Sequence, residues 1–125
     1  MNNLIIEKTH STPGIVFDTE TGVLEIKGES FPENVPKFYG PVIEWIKDFL
    51  NSTDKEIVFN FEISYFNSSS SKILMNIFDY LEQQVSEGKN ISVIWRCDHE
   101  NESAVECGYE FKEDLDLLPF VVEIY

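Results

Sequence analysis

Asn67 and the four serines that follow it, Ser68 to Ser71, form the densest run of hydroxyl groups in the chain. A serine becomes a catalytic nucleophile when a neighbouring base takes its proton, and His10 and His99 are the only histidines available for that role. The glycine-flanked serine of a nucleophile elbow is absent, so the hydrolase reading is weak. Hydroxyls also serve helix starts. Asn and Ser are favoured N-caps because a side-chain oxygen accepts from the unpaired N–H groups of the first turn. One such residue suffices. Asn followed by four serines exceeds that need, and it sets hydroxyls at the positive end of a helix dipole, where phosphate or another anion is favoured.

Other candidate chemistries are thinner. Cys97, His99 and Cys107 are possible zinc ligands, but their spacing matches no paired-cysteine arrangement and a fourth ligand would have to be a carboxylate. Buried thiols and a solvated loop histidine are the simpler reading. Glu100, Glu102, Glu110, Glu113, Asp114 and Asp116 belong to a chain with 23 acidic residues, so their proximity in sequence says little about acid–base catalysis. The six glycines are scattered, and no phosphate loop or dinucleotide fingerprint is present. No cofactor or metal is expected.

The serine run lies between two elements of different period. Ile57, Phe59, Phe61, Ile63 and Tyr65 alternate with Val58, Asn60, Glu62, Ser64 and Phe66, which predicts a strand burying one face more completely than the other. After the serines, Ile73, Leu74, Ile77, Phe78, Leu81 and Val85 recur at helical spacing, with Lys72, Asn76, Asp79, Glu82 and Gln83 opposite. The helix should begin within Asn67 to Ser70 and end at Glu87-Gly88-Lys89-Asn90.

Around this unit the chain reads as short strands at Leu4–Glu7, Ile15–Asp18 and Val23–Gly28, the last two across a Thr21-Gly22 turn. A first helix follows on Phe38, Val42, Ile43, Trp45, Ile46, Phe49 and Leu50. Pro36 suits its first turn, while Pro41 implies a kink near Gly40-Pro41 or a short turn before the main helix. Ile91–Cys97 is a further strand, Ala104 to Lys112 a third helix, and Phe120–Tyr125 a last strand. Helices between consecutive strands imply right-handed crossovers. The expected fold is α/β, one domain over residues 1–125, with a mixed sheet whose later strands are parallel. Because three strands alternate apolar with polar residues, the helices should lie mostly on one face.

Nine basic and 23 acidic residues give a formal charge of −14, which argues against nucleic acid or an anionic membrane as partner. With 42% hydrophobic and 14% aromatic residues, the composition is that of a folded globule. No targeting pattern and no apolar segment near the roughly 20 residues of a bilayer span is present, so a cytoplasmic location and free cysteines are expected.

The motifs together resemble the SiaC family of bacterial regulatory phosphoproteins over nearly the whole chain. They are Ser11-Thr12-Pro13, Gly28-Glu29-Ser30-Phe31-Pro32-Glu33-Asn34, Tyr65-Phe66-Asn67-Ser68-Ser69-Ser70-Ser71-Lys72, Trp95 and the run from Glu106 to Phe120. The resemblance implies a STAS-like fold, like that of anti-sigma-factor antagonists, and a partner-switching role without enzymatic activity. It places the phosphoacceptor directly after the Asn, at Ser68, with Ser69 and Ser70 as alternatives. Asn67, Ser68, Ser69, Ser70 and Lys72 would then meet the partners. These would be a cognate Ser/Thr kinase, a PP2C-type phosphatase and an effector bound by the unphosphorylated form, such as a diguanylate cyclase. An antagonist in an anti-sigma-factor circuit is the alternative. Cys97 stands where an aromatic residue is more usual in the family.

Overall fold

Apolar runs separated by turn formers make the first strands, and the change to helical spacing makes each later crossover. The computed structural model describes residues 1–125. Its elements are β1 (Leu4–Ile6), β2 (Gly14–Phe17), β3 (Val23–Ser30), α1 (Val35–Ser52), β4 (Ile57–Phe66), α2 (Ser68–Ser86), β5 (Ile91–Cys97), α3 (Glu102–Glu113) and β6 (Phe120–Ile124). All six strands join one sheet in sequence order. β1, β2 and β3 pair antiparallel, and β3 to β6 pair parallel. The expected α/β domain with a mixed sheet and parallel later strands is therefore observed.

Burial follows the pleat. Ile57, Phe59, Phe61 and Ile63 of β4 and Ile91, Val93, Trp95 and Cys97 of β5 are buried, while the residues between them are mostly half-buried. Three same-handed crossovers in a sequentially ordered sheet put every helix on one face, and the core forms there. Phe78 of α2 and Phe111 of α3 pack edge-on against Trp95, whose indole N–H donates to Ala104 O at 3.0 Å. On the open face Arg96 bridges Glu123 at 2.8 Å and Glu62 at 3.2 Å, with Lys27 4.0 Å from Glu62.

One local alternative is decided and one expectation changes. α1 is one helix from Val35 to Ser52, with Pro36 in its first turn and Pro41 exposed within it. No separate turn precedes it. At an exposed position water can serve the carbonyl that the missing N–H leaves unpaired. The change lies in β4. Its pairing with β3 slips between Gly28 and Glu29, so that Gly28 opposes Ile63 and Glu29 opposes Tyr65. Ser64 is the extra residue of this bulge, and beyond it the side chains exchange faces. Tyr65 is 53% exposed, while Phe66 turns inward against Trp95 and Phe111.

Candidate functional site

Strands β3, β4 and β5 each run into a helix at the same end of the sheet, and each of those helices begins with an asparagine cap. Asn34 accepts from Lys37 N–H at 3.1 Å, Asn67 from Ser70 N–H at 2.9 Å and Asn101 from Ala104 N–H at 3.2 Å. Three positive helix ends thus gather at the carboxyl ends of the strands, where open α/β sheets place their sites.

The middle one carries the serine run. Asn67 is extended, its N–H donates to Ser30 O at 3.2 Å, and its carbonyl accepts from Ser71 N–H at 2.9 Å. The strand-to-helix turn is therefore tied to the end of β3 on one side and to the helix on the other. The N–H groups of Ser68 and Ser69 have no protein acceptor. No acidic residue lies in this first turn, whereas Glu102 occupies that of α3. In a chain of −14, the start of α2 keeps its partial positive charge uncovered.

The serines are not equivalent. Ser68 and Ser69 are exposed, Ser71 is half-buried and Ser70 is fully buried. Ser70 Oγ accepts from Ser30 Oγ at 2.9 Å, and Ser30 Oγ lies 2.5 Å from the hydroxyl of buried Tyr39. Burial pushes the Tyr39 hydroxyl up against the smaller opposing pull of Ser30, so it stays a protonated donor. Lys72 is exposed and makes no salt bridge. The structure brings Asn67, Ser68, Ser69 and Lys72 together at one surface and takes Ser70 out of it.

Neighbouring side chains extend that surface. Tyr65, turned outward by the bulge, packs edge-on against Phe31 with ring centroids 5.7 Å apart, and Phe31 meets His10 at 6.2 Å. The Ser64 carbonyl accepts from Asn101 Nδ2 at 2.8 Å, so the cap of α3 also holds the bulge. Beside Tyr65, a hollow of about 240 Å³ is lined by Ser64, Phe66, Ser103, Ala104 and Cys107. Sequence reading gave no role of their own to Tyr65, Tyr39, Ser30 and the two outer caps. Ser-Tyr-Phe at the end of an alternating strand was the available sign of a bulge, and Asn34 and Asn101 each stand just before a helical period.

The competing chemistries are not assembled. Neither histidine is hydrogen-bonded to a serine of the run; His99 Nδ1 is 2.8 Å from Tyr125 O, and His10 meets Phe31 edge-on. Cys97, His99 and Cys107 do not come together, since no group of three or more ligating side chains is gathered anywhere. Both cysteines are free. Burial pushes both thiols up, reinforced by Asp98 for Cys97 and by Glu110 and Glu106 for Cys107, which disfavours the thiolate at neutral pH.

The structure is thus an α/β domain that exposes a capped serine run at a helix start. Residues 6–125 match the family described as SiaC family regulatory phosphoprotein, and the chain belongs to that family. Its members are regulatory phosphoproteins and not enzymes. An uncharacterized protein of Pseudomonas aeruginosa strain UCBPP-PA14 is 36% identical over 125 residues, covering 100% of this chain and 98% of that protein. The structure of SiaC from P. aeruginosa is similar with a TM-score of 0.93 and 34% identity, covering 100% of both chains. A chain in the crystal structure of the diguanylate cyclase SiaD in complex with its activator SiaC, from the same organism, matches with a TM-score of 0.92 and 36% identity, over 98% of this chain and 99% of that one. No helix here is long and apolar enough to cross a membrane.

Proposed function

We propose that this protein is a cytoplasmic partner switch, phosphorylated on Ser68 by a cognate Ser/Thr kinase, restored by a PP2C-type phosphatase, and bound in its unphosphorylated form to a diguanylate cyclase that it regulates. The observation that carries the site is the contrast within the serine run. Ser68 is exposed at the first position of α2, beside two N–H groups with no acceptor and no carboxylate, while Ser70 is buried. A phosphate adds roughly 1.5–2 negative charges, which a helix N-terminus tolerates without unfolding. The similarity to a chain of the SiaD–SiaC complex favours a cyclase over a sigma-factor circuit as the effector branch.

The direction of the switch follows from desolvation. A strongly hydrated dianion at the centre of a docking face loses its water on binding, and an uncompensated cost of several kcal/mol lowers affinity by orders of magnitude. The unmodified serine carries no such cost. Incubation with the cognate kinase, followed by intact-mass measurement, tests the site. The wild type should gain one phosphate and Ser68→Ala none, with both folded; wild-type incorporation into Ser68→Ala sinks the assignment.

A further inference from the structure

Ser70 lies in the serine run yet belongs to the core. It is fully buried together with Ser30, the last residue of β3, and Tyr39 of α1. Ser30 Oγ donates to Ser70 Oγ at 2.9 Å and lies 2.5 Å from Tyr39 OH. A serine hydroxyl has one proton, so once Ser30 has given its own to Ser70 it accepts from Tyr39. A relay of three hydroxyls thus joins α1, β3 and the first turn of α2.

We propose that Ser30 and Tyr39 are specificity-determining residues for phosphorylation of this protein: by holding Ser70 inward they set the rotational phase of the first turn and select Ser68 over Ser70 as acceptor. The inference rests on the reading of this run as the phosphorylation site. Successive helix residues are about 100° apart, so Ser68 stands about 200° around from Ser70 and points nearly opposite to it, while Ser69 and Ser71 lie to the sides. Ser68 and Ser69 are exposed and Ser71 is half-buried, as that phase requires.

In the transfer, Ser68 Oγ forms a bond to the γ-phosphorus of a nucleoside triphosphate as the bridging P–O bond breaks. The hydroxyl proton passes to a base of the kinase and nucleoside diphosphate leaves. The same product at Ser70 would place a dianion at a fully buried position beside Tyr39, in place of a relay in which no buried polar side-chain atom lacks a partner. The relay thereby withdraws Ser70 from a kinase and leaves Ser68 facing away from the core, with Ser69 exposed to one side.

The test replaces the native copy in its host with full-length Tyr39→Phe or Ser30→Ala and maps phosphate by tandem mass spectrometry on the tryptic peptide from Glu56 to Lys72. Wild type should carry phosphate on Ser68 with Ser70 essentially unmodified. Loss of one hydroxyl from the relay should raise the combined Ser70 and Ser71 share relative to Ser68 by about tenfold, the worth of one hydrogen bond. Tyr39→Phe keeps the ring, so it decides the matter if Ser30→Ala fails to fold. Gly108→Ala, a core change on α3, is the control for general destabilisation and should leave the distribution as in wild type. An unchanged distribution in both relay variants, or wild-type phosphate spread equally over Ser68 and Ser70, overturns the inference while leaving the run as the site. Absence of phosphate from all four serines overturns the acceptor reading itself.

Discussion

Glu82 illustrates how a single residue on a nominally solvent-facing helix position can be committed to structure. Its carboxylate accepts the N–H groups of Asp116, Leu117 and Leu118 at 2.8, 2.8 and 2.6 Å, pinning the loop between α3 and β6. Burial raises its pKa, but the three backbone hydrogen bonds together outweigh that and leave it lowered. A depressed carboxylate contributes stability above the ordinary glutamate range, and that contribution is lost as pH falls through the folded-state value. Glu82→Gln should therefore cost about 1–2 kcal/mol at neutral pH, with the difference from wild type shrinking in acid; denaturant melts at several pH values check it, and a gap that widens in acid would contradict it. Gly108 is the opposite case, a residue defined by what it lacks. A Cβ there would sit 2.5 Å from Trp95 Cδ1. Gly108→Ala should lose about 1–3 kcal/mol to overpacking even though alanine favours the helix by about 1 kcal/mol. Stabilisation in a urea melt would refute the close approach of α3 to Trp95.

At the scale of elements, the period of the sequence was enough to place every strand and helix, because burial on one face imposes it. Ile57, Phe59, Phe61 and Ile63 behave as that period requires. Tyr65 does not, because the bulge at Ser64 depends on how β4 pairs with the distant strand β3, which no local pattern encodes. The serine run was legible as a helix start for the same local reason, since N-caps are chosen by side-chain chemistry. The inward turn of Ser70 was not, because its partners Ser30 and Tyr39 come from other elements. Asn101 joins two of these devices, capping α3 with Oδ1 and holding the Ser64 carbonyl with Nδ2. Asn101→Ala should lose both, costing about 1–3 kcal/mol, whereas Asn101→Asp keeps the cap oxygen and loses only the donor to the bulge. Hydrogen exchange at Tyr65 and Phe66 should then rise in both variants, while exchange in the first turn of α3 rises only in Asn101→Ala. Equal protection of the bulge in all three proteins would rule out the clamp.

For the whole molecule, three capped helix starts gather at one end of the sheet, and the bulge adds an exposed aromatic residue to that end. No group of three or more metal-ligating side chains is gathered in the fold that presents this end. A chelator should accordingly leave the melting temperature and effector binding unchanged, and a drop in either would reveal a structural ion. Because Asn67 and not Ser68 is the cap, Ser68→Ala should change stability by no more than about 0.5 kcal/mol, so that any effect on binding belongs to the surface. The central claim is that phosphate at this end governs partner choice, and the affinity of the host's diguanylate cyclase for the two forms tests it most directly. Titration calorimetry should show tight binding of unmodified protein and of Ser68→Ala, and binding weaker by about a hundredfold or more for protein phosphorylated on Ser68. Equal affinity of the phosphorylated and unmodified forms would contradict the account.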